Sequence, residues 1–142
     1  MSEGSLAAAS SGWRVDVLHR INGVRRAVGV APLRTCPALS DAAQGYARSM
    51  AATDRFAHLD AAGAGVGDRL RVAGYRATAT GENIAAGYTT PDAVMTGWIT
   101  SPGHFANLTN PAFRHVGIGR AVQVGTRYGI YWVLEFGSGG PC

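Results

Sequence analysis

Leu39, Ala42, Ala43, Tyr46, Ala47 and Met50 fall at i, i+3, i+4, i+7, i+8 and i+11. That spacing lines one face of an α-helix with apolar side chains, and the face has to be buried against another element. Pro37 suits the first turn, where its missing amide would have no partner anyway, and Thr35 or Cys36 serves as cap. The rest of the chain has to supply a surface that accepts this helix.

The flanking segments carry their own signals. Leu18, Ile21, Arg25 and Val28 are spaced for one face of a first helix over about 14–28, with Gly29 as the residue past its end. Ala31-Pro32-Leu33 reads as an extended connector. Gly63, Gly65 and Gly67 make a loop, and Asp68 to Ala73 a short helix stopped by Gly74. Tyr75 to Ile84 alternates as a strand. Thr90 caps a third helix, with Pro91 in its first turn, running to about Thr100. Ser101-Pro102 repeats that start signal for a short helix through Leu108. His115–Val122 and Arg127–Phe136 are rich in β-branched and aromatic residues and form a hairpin turning at Gly125-Thr126. The order is helices, strand, helix, hairpin. It predicts an α+β fold, a small mainly antiparallel sheet covered by helices.

The 142 residues suit one domain, expected over 13–142, behind a Ser/Gly/Ala-rich lead over 1–12 that is expected to be disordered. Hydrophobic residues make up 46%, enough to bury a core. No run approaches the ~20 apolar residues of a membrane-spanning helix, and residues 1–12 lack the charged start and apolar run of a secretory signal. All 13 basic residues are arginines, and the net charge is +4. They are scattered, with no basic tract and no interleaved aromatics, which argues against a nucleic-acid partner. Cys36 and Cys142 belong to no Cys-x-x-Cys pair, against a zinc knuckle or a thioredoxin-type site. A disulfide between them is favoured over two free thiols. It would close a loop of about 105 residues, with a stabilisation ceiling of roughly 4–5 kcal/mol.

The candidate chemistry lies in His58, Gly81-Glu82-Asn83-Ile84 and Ser101-Pro102-Gly103-His104-Phe105-Ala106-Asn107. Two imidazoles, a carboxylate and two amides in apolar surroundings are costly to bury unless they satisfy one another or hold a ligand. His104 sits at the electropositive start of a helix, which disfavours imidazolium and leaves a lone pair to offer. Asn107 follows on the same face. Two histidines and a carboxylate suffice for a catalytic zinc site with an open position for water. The same three side chains could instead be a hydrogen-bonded network pinning three segments together. Ser101 lies near His104, but capping is its expected role, and no Gly-x-Ser-x-Gly elbow is present. His19 is expected to be exposed. His115 suits either the rim of a cleft or packing at a strand end. Glu135 is expected to pair with Arg25 or another arginine.

Further motifs fall in order along the chain: Asn22-Gly23-Val24-Arg25, Pro32-Leu33, Leu39-x-x-Ala42-Ala43, Phe56-Ala57-His58, Asp68-Arg69-Leu70 and Ala73-Gly74-Tyr75. Gly81-Glu82-Asn83-Ile84-Ala85, Trp98, Ser101-Pro102-Gly103-His104, Asn107, Val116-Gly117-Ile118-Gly119 and Tyr131-Trp132 complete the set. In these residues the chain resembles the CAP superfamily (cysteine-rich secretory, antigen five and pathogenesis-related proteins), in its compact bacterial, secreted form. The resemblance implies an α-β-α sandwich with a central cavity. His58, Glu82 and His104 match three positions of that family's His/Glu tetrad; the fourth, a glutamate, falls here on Ser101. It further implies a secreted, monomeric, non-enzymatic binding module. Its cleft, with His58, Glu82, Asn83, His104 and Asn107, would take a lipid, a sterol-like or other small apolar ligand, or a cell-envelope protein or glycan. The alternative is a zinc-dependent hydrolase using His58, Glu82 and His104, with zinc held at least by His58 and His104.

Overall fold

The computed structural model describes the backbone of residues 3–142 and the side chains from Gly12 onward. The side chains of 1–11, in the lead expected to be disordered over 1–12, lie outside the described residues. Helix α1 spans Glu3–Ala27, so the backbone is already helical upstream of Arg14, where the sequence places the start. Its inward stripe is Val17, Ile21 and Arg25, each fully buried. Leu18 is only partly buried, and Val28, expected on that face, lies beyond the last turn and is exposed.

Strand β1 (Arg34–Thr35) is a short element in what the sequence marks as connector. Helix α2 (Pro37–Thr53) follows with Pro37 in its first turn and buries Leu39, Ala43, Tyr46, Ala47 and Met50, the periodic face. Next come α3 (Val66–Val72), β2 (Arg76–Ala86), α4 (Pro91–Ile99), α5 (Pro102–Leu108), β3 (His115–Val122) and β4 (Ile130–Gly140). Thr90 caps α4 as expected, its Oγ1 accepting from the Ala93 amide at 3.1 Å. The strand order is β1-β3-β4-β2: β1 runs parallel to β3, and the other two pairings are antiparallel. The hairpin is present, but its loop covers 123–129 rather than a turn at Gly125-Thr126, and β4 runs on to Gly140.

The sheet separates two layers. Val116, Ile118, Trp132, Leu134 and Phe136 pack with α1 and α4, while Tyr131, Val133 and Ile84 pack with α2. The α2 layer sits very close to β3, and two glycines permit it. A Cβ at Gly117 would lie 2.0 Å from the Leu39 carbonyl oxygen, and one at Gly119 would lie 2.4 Å from that of Ala43. Both contacts are with backbone, so no rotamer change relieves them. The alternation Val-Gly-Ile-Gly therefore puts large residues on one face and helix backbone on the other. Cys36, at the N-cap of α2, is bonded to Cys142, with 5.0 Å between their Cα atoms, and ties the end of the chain to this layer.

Arg25 holds α1 to the loop after α5 and does not pair with Glu135. Its Nε donates to the Ala31 carbonyl (2.6 Å), Nη1 to those of Leu108 (2.9 Å) and Asn110 (3.1 Å), and Nη2 to that of Phe113 (3.2 Å). The planar fork satisfies four carbonyls that a lysine could not serve together. Arg25→Ala is expected to lower unfolding stability by about 3 kcal/mol or more, because buried acceptors lose a charged donor. Arg25→Lys should recover only part of that loss. Urea denaturation with unchanged m-values is the check.

Candidate functional site

Glu82 and Glu135 stand directly opposite each other in the β2–β4 ladder, both facing the α2–α3 layer. Both residues are buried, Glu135 completely. From the helical side Arg69 of α3 reaches between them, its guanidinium stacked 3.5 Å over the Tyr46 ring. Arg69 Nη2 donates to Glu82 Oε2, and Nε lies 3.9 Å from Glu135 Oε1. His58, in the loop after α2, meets Glu82 Oε1 through Nδ1 at 2.8 Å. Because a carboxylate oxygen only accepts, Nδ1 of His58 carries the proton in this contact. The His58 ring is more than half exposed, while its partner Glu82 is sealed.

Two carboxyl groups share one guanidinium here. Neither Glu135 oxygen finds a hydrogen-bond partner of good geometry among the described residues, and neither does Arg69 Nε. Burial, then the adjacent Glu82 carboxyl, push the Glu135 carboxyl well above the usual carboxylate range, and Arg69 opposes this only in part. Glu135 thus keeps its proton where ordinary glutamates have lost theirs.

The other half of the site is built on α5. His104 projects from the first turn of that helix and pairs through Nδ1 with Ser101 Oγ at 2.9 Å. The Ser101 side chain therefore does not cap the helix backbone, contrary to its expected role. Burial, then His58, lower the His104 pKa, so the ring is neutral near pH 7. Ser101 and His104 line a cleft of about 340 Å³ together with Ile84, Ala85, Trp98, Phe56, Tyr88 and Tyr128. Phe56 and Tyr128 meet edge to face at 5.6 Å. These two and Tyr88 are left 41%, 41% and 38% exposed at the mouth, unusual for rings of this size in a well-packed domain.

Asn83 and Asn107 do not line that cleft. Asn83 is fully buried and donates to the His104 carbonyl (3.1 Å); Asn107 donates to Asn83 Oδ1 (2.9 Å) and to the Glu82 carbonyl (3.3 Å). They fix α5 to β2 and so set where His104 stands. His115 bonds the Tyr75 hydroxyl (2.8 Å), which is packing at a strand end, and His19 is exposed. Sequence reasoning did not place Arg69, Glu135, Tyr88 or Tyr128 in the site. Strand alternation from Tyr131 and Val133 would have turned Glu135 inward.

The donor set does not fit the expected zinc site. Both Glu82 oxygens are occupied, one by His58 and one by Arg69. The fourth tetrad position is Ser101, whose hydroxyl is engaged with His104. Among the described residues, no group of three or more His, Cys, Asp or Glu side chains is arranged to hold a metal ion. A guanidinium inside the set opposes a cation on electrostatic grounds.

The state of Glu135 sets a pH dependence with a definite sign. A folded pKa above the unfolded value of ~4.3 gives a stabilisation fully present below that value and lost as pH rises through the folded pKa. Glu135→Gln keeps the shape and removes the titration. Melting curves of the two proteins are expected to coincide near pH 4 and to separate in favour of Gln as pH rises, by about 1.4 kcal/mol for each tenfold difference in proton affinity between the folded and unfolded chain. A Gln variant less stable at pH 8 than at pH 4, relative to the native chain, would show that Glu135 is ionised against Arg69.

The cysteine-rich secretory protein family model matches residues 18–136. The uncharacterized protein YkwD of Bacillus subtilis is 31% identical over 132 residues, 93% of this chain. An extracellular SCP-domain protein from Bacillus anthracis superposes with a TM-score of 0.75 at 26% identity over 85% of the chain. An outer surface protein from Borrelia burgdorferi gives 0.77 at 21% identity, over 87% of this chain and 90% of its own, a likeness of fold alone. This chain spans 49% of the length of YkwD and 38% of that of the Bacillus anthracis protein. With the α-β-α layering and the motif order both in place, the chain belongs to the cysteine-rich secretory protein, or CAP, family.

Proposed function

We propose that this CAP domain is an exported, non-enzymatic binding module. Its cleft takes a small amphipathic molecule of the cell envelope, with the ligand's polar group against Ser101 and His104 and its apolar part along Trp98, Tyr88 and Tyr128. The observation that carries this reading is the aromatic lining: three large rings stay exposed around a cleft that also holds the neutral Ser101–His104 hydrogen-bonding pair. A few polar groups at the end of an apolar cleft orient a ligand, while the walls supply most of the affinity. The Cys36–Cys142 bond suits an oxidising compartment, and the Bacillus anthracis neighbour is an extracellular protein. The sealed Glu82–Arg69–Glu135 group serves to hold His58 and the sheet edge in place, and takes no part in turnover.

The test is thermal stability with palmitate, a lysophospholipid and a peptidoglycan fragment as probes. A ligand present at about 100 times its Kd should add about 2.7 kcal/mol to unfolding stability. Tyr128→Ala is expected to weaken binding of the amphiphiles about tenfold through lost apolar contact. His104→Ala should cost about 1 kcal/mol through one lost hydrogen bond. Stability unmoved by every probe would remove the reading.

A further inference from the structure

Five of the ten large apolar side chains left exposed among the described residues are Phe56, Tyr88, Val122, Val124 and Tyr128. They cluster on one end of the sheet. Tyr128 touches Phe56, and both line the cleft with Tyr88. Val124 is 89% and Val122 61% exposed, in or beside the same 123–129 loop, whose ends close through Gln123 N–H and the Gly129 carbonyl at 2.9 Å. Val124 therefore stands in a closed turn with its side chain nearly all in solvent. Side chains of this kind facing water are costly unless something covers them.

The charge around them is net positive, two arginines against the one Asp54 carboxylate. Arg55 and Arg127 are exposed beside Phe56 and Tyr128, and neither has a carboxylate partner among the described residues. The Arg127 guanidinium lies 6.0 Å over the Tyr128 ring. The nearby Asp54 is occupied, its Oδ1 accepting from the Arg127 amide (3.0 Å) and the Tyr131 hydroxyl (3.1 Å). An apolar tip flanked by unpaired arginines and by aromatic rings complements the boundary of an anionic bilayer, where valines enter the acyl region, rings sit at headgroup depth and arginines meet phosphate. We propose that this end, Phe56, Tyr88, Tyr128 and the Val122–Val124 tip between Arg55 and Arg127, docks the protein reversibly on an anionic lipid membrane. The cleft mouth then faces the bilayer. The proposal does not require the cleft to hold a ligand, because Val122, Val124, Arg55 and Arg127 do not line it.

The test is flotation of the whole chain with vesicles of phosphatidylcholine alone and of phosphatidylcholine with phosphatidylglycerol, at low and high salt. The native chain should float with the anionic vesicles at low salt and largely dissociate at high salt. Arg55→Ala with Arg127→Ala should weaken partitioning about 25-fold, about fivefold for each arginine. Val124→Asp should weaken it about tenfold, with an unchanged melting curve because the side chain is nearly all in solvent. Arg76→Ala with Arg114→Ala, exposed at the opposite end of the sheet, should have little effect. No flotation at low salt would overturn the proposal. So would equal losses from the two arginine pairs, which would mean attraction through net charge, or Val124-dependent self-association without lipid, which would mean a second copy covers the tip.

Discussion

The structure depends on how close α2 comes to the sheet. Gly117 and Gly119 let the helix backbone rest on β3 without intervening side chains. At that separation Tyr46 and Arg69 arrive directly over the β2–β4 ladder. A side chain at either glycine would lift α2, and the Arg69 guanidinium of α3 would lose the Tyr46 ring it stacks on. The layer spacing is thus a backbone property that determines the electrostatics of the site.

The charge balance at that site then decides what chemistry is open to it. One guanidinium, itself 11% exposed, faces two buried carboxyl groups. Two ionised carboxylates would leave an uncompensated buried charge, so one keeps a proton. The remaining carboxylate has both oxygens committed, to Arg69 and to His58. A cation would have to displace Arg69 or strip His58 of its partner. The serine in place of the tetrad's second glutamate completes this shift. It offers a hydroxyl that bonds His104 and adds no negative charge.

The elements of this fold were largely legible because their signals are local. Cap residues and first-turn prolines marked α2, α4 and α5, and periodicity selected the buried face of α2 correctly. What stayed hidden depends on register and on distance in space. β1 is two residues long and exists because β3 lies beside it. The opposition of Glu82 and Glu135 follows from strand register, which no periodicity reveals. Arg25 looked like an ion-pair partner, yet its partners are four carbonyls, three of them more than 80 residues away at and after the end of α5. Ser101 carried a genuine start signal, but its hydroxyl pairs with the ring three residues on and accepts from no helix amide.

The three residues that motif order placed together prove to have two kinds of work. Glu82 is sealed beneath Arg69 and has no oxygen left to offer, so it acts as a support for His58 and for the edge of the sheet. His104 stands on α5 beside β2, held by the Asn83–Asn107 pair, with a neutral ring turned to an apolar cleft. A catalytic site would need these groups to converge on one reacting atom with an unspent base. Here Glu82 is committed to Arg69 and His58, and His104 offers one neutral hydrogen-bonding ring among aromatic walls. That division follows from Arg69 occupying the position between the carboxyl groups.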